Sequence, residues 1–288
     1  MTVGFAHPAR LRNLALRRVR AGELGSVVGP SLGVSGALVN EWSRKAGIKI
    51  DRSEAIRKTW AAGRRSRNSS LDKEIFIRPL TPASAWLLGV IVGDGCIKRC
   101  RGKIIGLQLC GDLDVCEKAR VLLGSQAKVR HLKGGCCGIE IGSRSLAESL
   151  IAIGIGPAKT YSVPWPRVVG PAVESHFMRG FWDADGCVTS GVSYGKRRPI
   201  LTAVSCSRLL MEQVDKRVRR VTRSQGRLHV VDRPNRALKY MSTVNCDKAI
   251  LLGEWLWAHS SDAIRGNRKY QAFCLWQERW GSQTVKAA

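Results

Sequence analysis

At 288 residues and 44% hydrophobic content, the chain has room for two or three ordinary globular domains. Its 48 basic against 22 acidic residues leave a formal charge of +26, which implies a polyanionic partner, most simply DNA or RNA. A membrane is excluded as that partner: the apolar run 83–92 falls far short of the roughly 20 residues a spanning helix needs, and no long basic amphipathic helix or lipidation signal is present.

The basic excess runs through the whole chain, with 16 basic and 6 acidic residues in 1–80, 12 and 6 in 81–170, and 20 and 10 in 171–288. A polyanion is therefore expected to touch every segment. Ten cysteines are scattered without a CxxC pair, which makes them thiols of a reducing, intracellular compartment rather than a zinc cluster.

Residues 1–20 read as basic and irregular, with Arg10, Arg12, Arg17, Arg18 and Arg20. Leu32-Gly33-Val34-Ser35, followed by Ala37, Leu38, Val39 and Trp42, has the pattern of the turn and second helix of a helix-turn-helix. Gly33 would make the turn and Ser35 cap the helix, leaving Asn40, Ser43, Arg44 and Lys45 to face a groove or phosphates. Gly29-Pro30 falls where the first helix should continue, so a small basic helical bundle is the alternative. A short helix is expected over Ser53–Trp60. Residues 1–62 form this helical module, and residues 63–78 a basic, flexible linker.

From Trp86 to Gly95 the chain reads WLLGVIVGDG, and about ninety residues later Phe177 to Gly186 reads FMRGFWDADG. Gly89 lines up with Gly180, Gly93 with Ala184, Asp94 with Asp185 and Gly95 with Gly186. Small residues four apart share one helix face and let two helices approach more closely than the usual ~8–10 Å. If these helices pack on each other, Asp94 and Asp185 emerge side by side where both end, and the following glycines free the chain to turn away. Adjacent carboxylates repel unless a hard divalent cation sits between them, so the repeat predicts a metal site on a pseudo-twofold axis.

Similar text follows each copy. In the first, strands over Cys96–Arg101 and Lys103–Cys110 form a hairpin in which Ile105, Leu107 and Leu109 alternate against Gln108. A helix over Asp112–Leu123, a second hairpin of Lys128–Leu132 with Cys137–Ile141, and a helix over Leu146–Ile153 capped by Ser143 complete it. In the second, Cys187–Tyr194 and Pro199–Ser205 pair across Gly195-Lys-Arg-Arg, and Ser207 caps a helix with Leu210, Val214, Val218 and Val221 at helical spacing. Arg227–Val231 then pairs with Leu238–Val244, and a helix over Asp247–Ala258 closes the unit. The order αββαββα thus occurs twice, over 79–165 and 166–288, which predicts an α+β protein built by internal duplication. Lys98, Arg99, Arg101, Lys103, Arg130 and Lys133 lie on the strands and turns of repeat one, and Lys196, Arg197, Arg198, Arg227, Arg233, Arg236 and Lys239 on those of repeat two. Two antiparallel sheets with such faces fit a major groove as β-ribbons.

The two copies resemble the signature helices of the LAGLIDADG homing endonucleases. The second keeps Gly180 and the full Asp183-Ala-Asp-Gly186 ending, whereas the first has Val92 in place of the earlier Asp. The likeness covers roughly residues 80–275. It implies tandem pseudo-twofold αββαββα repeats in a monomer, here preceded by the small helical domain, that cuts both strands of a DNA duplex. It also implies Mg²⁺ or Mn²⁺ held by Asp94 and Asp185, with Gly93 and Ala184 beside them, and no small-molecule substrate. Ile155-Gly-Pro-Ala-Lys-Thr-Tyr-Ser-Val-Pro164 and Asn267-Arg-Lys-Tyr-Gln-Ala-Phe273 resemble the segments that carry active-site lysines, here Lys159 and Lys269. Gln108 is a further candidate for the solvent network, and structural duty is the expected role of Asp183. The chain lacks splicing residues at its ends, which suggests a free-standing enzyme rather than an intein. A non-cutting DNA-binding regulator and an RNA-binding intron maturase remain open on the same scaffold.

Overall fold

A computed structural model describes residues 8–48, 53, 70–132, 134–193, 196–225 and 228–285. Lys133, Arg227, residues 63–69 of the expected linker and all but Ser53 of the expected helix Ser53–Trp60 lie outside them. The chain forms two compact units that divide between residues 69 and 70.

The N-terminal unit contains α1 (Ala9–Arg20), α2 (Gly25–Ser31) and α3 (Gly36–Lys45). Residues 9–20, expected to be irregular, are helical because Ala15, Leu16 and Val19 supply a buried stripe between the outward arginines. Gly33 turns the chain at φ +73° and the Ser35 hydroxyl accepts from Leu38 N at 3.2 Å, as expected of turn and cap. A Cβ on Gly29 would lie 2.6 Å from Gly36 N, so α2 and α3 touch through glycine. Pro30 is accommodated because α2 ends one residue later. Ser43 does not face outward: four residues after Val39, it is buried and donates to the Val39 carbonyl at 2.8 Å. Arg44 and Lys45 are exposed, with Lys45 paired to Glu41 at 2.7 Å.

The second unit begins before the first repeat. Residues 70–78, expected as linker, pack on it: Ser70 donates to Gly124 O at 2.7 Å, Asp72 N to Leu123 O at 2.9 Å, and Leu71 and Phe76 are buried. Apolar side chains in an otherwise basic stretch anchored it.

Repeat one runs α4 (Pro82–Asp94), β1 (Gly95–Cys100), β2 (Lys103–Gly111), α5 (Leu113–Leu122), β3 (Arg130–His131), β4 (Cys137–Ile141) and α6 (Arg144–Ala152). Repeat two runs α7 (Glu174–Asp185), β5 (Gly186–Ser193), β6 (Lys196–Ser205), α8 (Arg208–Thr222), β7 (His229–Val231), β8 (Lys239–Asn245) and α9 (Cys246–Trp257). The αββαββα order therefore does occur twice. A final helix, α10 (Asn267–Val285), was not expected from the sequence.

Each repeat folds into one four-stranded antiparallel sheet, ordered β1-β2-β4-β3 and β5-β6-β8-β7. In β2, Leu107 and Leu109 enter the core. Ile105 is 44% exposed instead, because a bulge between Lys98 and Arg99 shifts the register just where Gly106 allows φ +159°. Strand β6 begins at Lys196, so Lys196, Arg197 and Arg198 belong to a strand rather than the expected turn. Ser143 and Ser207 cap α6 and α8, accepting from Leu146 N and Leu210 N.

Helix α4 starts with a capping box between Thr81 and Ser84 and buries every residue from Ser84 to Val92. It packs on α7 without a layer of side chains between them. A Cβ on Gly180 would fall onto the Trp86 carbonyl oxygen, and one on Gly89 onto the Phe177 carbonyl oxygen. Trp86, Phe177, Phe181 and Trp182 close the sides of this seam, all at 0% exposure, so the two helix ends are fixed side by side.

Candidate active site

Both signature helices stop at an aspartate, and Gly95 and Gly186 lead directly into β1 and β5. A Cβ on Gly93 would meet that of Ala184 and lie 3.4 Å from Asp185 Oδ2, so the Asp185 carboxyl reaches over the end of α4. Burial pushes Asp94 up to about 6, and the neighbouring Asp185 charge adds to it. Burial also raises Asp185, against the pull of Lys159, Lys269 and Lys239. Burial is thus the main cost at both carboxylates, and the charge of Asp185 reaches Asp94.

Lys159 and Lys269 both arrive here, at the ends of the same helices. Lys159 Nζ donates to the carbonyl oxygens of Val92 and, at 3.0 Å, Gly93. Lys269 Nζ donates to Trp182, Asp183 and Ala184 carbonyls at 2.9, 2.7 and 3.0 Å. A cation on the final carbonyls of a helix suits its dipole. Desolvation lowers both lysines, and carboxylates oppose that shift, Asp185 and Asp94 at Lys159, Asp183 and Asp94 at Lys269. An ammonium has three donors, so Lys269 has none left for water, whereas Lys159 keeps one. Lys159 follows Ala158, which is held at φ 59°.

The lysines are crossed. Asp185 feels Lys159 more strongly than Lys269, and Asp94 feels Lys269 more strongly than Lys159. The backbone explains why. Past Lys159, the Val163 carbonyl accepts from Ser207 at the start of α8, while the start of α10 is tied to α5 by Arg268 on Asp112 at 2.9 Å and Asn267 N on Asp114 at 2.8 Å. Each lysine segment therefore docks on the other repeat.

The carbonyls of Gly93 and Ala184, expected beside the metal, each accept from a lysine. Asp183 has a different task from Asp185: its Oδ2 accepts from Trp86 Nε1 at 2.8 Å and Gly266 N at 2.7 Å, joining α7 to α4 and to the approach of α10. Gln108 donates to Cys110 Sγ at 3.7 Å, and the Cys110 thiol feels the charge of Asp94. Gln108 faces Glu140 across β2 and β4 and lines a separate cavity with Lys128 and Arg130. Arg99, Arg101, Lys103, Arg130, Lys196, Arg197, Arg233 and Arg236 are exposed. Lys98 is paired with Glu140 at 3.0 Å, and half-buried Arg198 donates to Cys246 Sγ at 3.4 Å. Lys239 is the residue whose place the sequence understated, for it lines a cavity of about 460 Å³ together with Asp185 and Lys159.

The paired carboxylates suit a hard divalent ion. Among the described residues, no group of three His, Cys, Asp or Glu side chains gathers anywhere. Further coordination would fall to water and phosphate oxygens, which is the habit of Mg²⁺.

No family model matches the chain, and no curated protein matches it. Solved structures that it resembles include LAGLIDADG endonucleases. The meganuclease I-SmaMI bound to uncleaveable DNA is 12% identical with a TM-score of 0.47, over 73% of this chain and 92% of that one. The LAGLIDADG homing endonuclease I-GzeII with its DNA target is 11% identical with a TM-score of 0.47, over 72% and 92%. The LAGLIDADG meganuclease I-AabMI bound to uncleaved DNA is 15% identical with a TM-score of 0.44, over 71% and 93%. At such identities, the chemistry of this chain rests on its own residues. No helix among the described residues is long and apolar enough to cross a membrane.

Proposed function

We propose that this chain is a single-chain, site-specific double-strand DNA endonuclease of the LAGLIDADG homing type. The observation that carries the reading is the placement of Asp94 and Asp185 at adjoining helix ends, opposed by half-buried Lys159 and buried Lys269. A protein that only binds DNA gains nothing from burying two carboxylates together. Two centres also match the two scissile phosphates of a duplex.

Asp94 and Asp185 would hold Mg²⁺ or Mn²⁺. A bound divalent ion neutralises phosphate charge and makes water a stronger nucleophile at neutral pH. Lys269 supplies fixed positive charge and holds the end of α7, and Lys159 does the same for α4 with one N–H left for water or phosphate. The open faces of the two sheets, with Arg99, Arg101, Lys103, Arg130, Lys196 and Arg197, would follow the duplex as ribbons. The N-terminal unit would act as a helix-turn-helix that presents Asn40, Arg44 and Lys45 of α3. A tether between two DNA-binding units raises the effective concentration of the second.

The test starts from binding, so that a target is obtained whether or not it is cut. The Asp94→Asn/Asp185→Asn variant selects duplexes from a randomised library in EDTA, and the unaltered protein is then given the selected duplex with Mg²⁺ or Mn²⁺. Cuts in both strands that fall at least about 100-fold with either single Asn change, while binding persists, are expected. Tight binding with no cut in any divalent metal supports the regulator, and preference for structured RNA supports the maturase.

A further inference from the structure

A third lysine stands on the Asp185 side alone. Lys239 opens β8 and lines the cavity shared by Asp185 and Lys159. It also lines a second cavity, of about 250 Å³, walled by Arg233 and Arg236 of the β7–β8 turn together with Val204 and Met241. Val204 borders both spaces, so the two adjoin along one edge of the open sheet face. Lys239 thus borders the cavity of Asp185, and Arg233 and Arg236 border the one that adjoins it.

The pairing registers locate the corresponding place in repeat one. Gly95 stands opposite Leu109 and that residue opposite Ile139; Gly186 stands opposite Ala203 and that residue opposite Ser242. Three residues before Ile139 is Cys136, and three before Ser242 is Lys239. A thiol therefore occupies the position of the lysine. The turn before it, Leu132-Lys-Gly-Gly-Cys136, carries one basic residue, whereas Asp232-Arg-Pro-Asn-Arg-Ala-Leu238 carries two. The open face of repeat one also holds Glu140, which takes up Lys98, while the strands of repeat two contain no acidic residue.

We propose that Lys239, Arg233 and Arg236 form a phosphate-binding subsite that belongs to the Asp185 half only and grips the DNA backbone beside the phosphate cut there. Arginine forks and a lysine point charge are the side chains suited to phosphodiester oxygens. The two halves are then unequal, and the strand held by the subsite is cut first. The cutting order rests on the nuclease reading; the grip itself does not.

Two measurements separate them. Phosphate-ethylation interference uses the Asp94→Asn/Asp185→Asn variant on its selected duplex, with and without Lys239→Ala, and needs neither metal nor cleavage. Interference lost at a few adjacent phosphates on one strand supports the subsite; no loss, or equal loss on both strands, overturns it. Strand-resolved cleavage by Lys239→Ala alone should slow one strand about tenfold and the other by less than about twofold, with nicked duplex accumulating. Equal slowing overturns the order. A parent protein that cuts nothing sinks the nuclease reading while the interference result still stands. Because Lys239 is exposed, its removal should leave the melting temperature unchanged.

Discussion

Helix α4 buries Ala85, Trp86, Leu87, Leu88, Val90, Ile91 and Val92, whereas α7, on the same path in the other repeat, buries Glu174, His176, Arg179 and Asp183 among its aromatics. In α4, cohesion comes from apolar area on every side. In α7, each ionisable group has found a partner. Glu174 takes Arg217 at 2.6 Å and also Arg220; Arg179 donates to Ile264 O and Leu256 O at 2.8 Å and meets His176 Nδ1 at 2.6 Å. The same contrast continues past the helix ends, where Lys239 adds a third cation around Asp185 while Asp94 feels Lys269 and Lys159 and, more weakly, the like charge of Asp112. The two repeats share the backbone path and the acidic helix ends. Everything around them was free to diverge once each buried charge stayed satisfied.

The sharpest break should come at the seam the repeats share. Gly180→Ala drives a Cβ into the Trp86 carbonyl and is expected to cost about 4 kcal/mol or more, because backbone cannot yield as a side chain can. Urea unfolding would read it, and a loss below ~1 kcal/mol would show that the helices are not in backbone contact. Gly93→Ala clashes with the Ala184 methyl alone and stands in ordinary contact with Asp185, so adding Ala184→Gly should restore it.

Next comes the difference in helix composition. Arg179→Met strands two carbonyls and His176, at an expected cost of about 3 kcal/mol, while Leu88→Met at the matching position should cost under ~1.5 kcal/mol. Equal costs would mean that the buried cation is no clasp.

Asp94 tests the electrostatics. Its folded pKa, about 6, is raised above the ordinary value of 3.8, so its charge destabilises the fold fully above about 6 and not at all below about 3.8. Asp94→Asn is therefore expected to stabilise the protein at pH 8 in EDTA by up to about 2 kcal/mol, with the gain fading between pH 6 and 4. Thermal melts across that range decide it; a variant less stable than its parent at pH 8 refutes the buried-charge account.

The smallest effect compares the two caps. Ser143→Ala loses the cap bond and a long, part-buried contact with Ser145 Oγ at 3.3 Å, about 1 kcal/mol, whereas Ser207→Ala abandons its cap bond and the buried Val163 carbonyl at 2.7 Å and should cost about 2 kcal/mol. Paired melting curves suffice to rank them.

Periodicity and turn residues made most elements legible, and the duplicated Gly-x-x-x-small spacing announced the seam. Three misreadings share one cause. Leu71 and Phe76 in a basic stretch, the bulge that turned Ile105 outward, and Ser43 turned inward all depend on which neighbour covers a residue. Composition and pattern do not carry that information.

By itself, the chain determined two αββαββα units, caps at Ser35, Ser143 and Ser207, and a matched pair of acidic helix ends, because local spacing and hydrogen bonding suffice for these. Tertiary structure alone decided that each lysine segment would dock on the opposite repeat, that Gln108 would line a cavity with Lys128 and Arg130, and that Lys239 would join Asp185. Those placements follow from long-range packing of segments far apart in sequence, where a side chain's neighbours are chosen by the fold and not by its own stretch of chain.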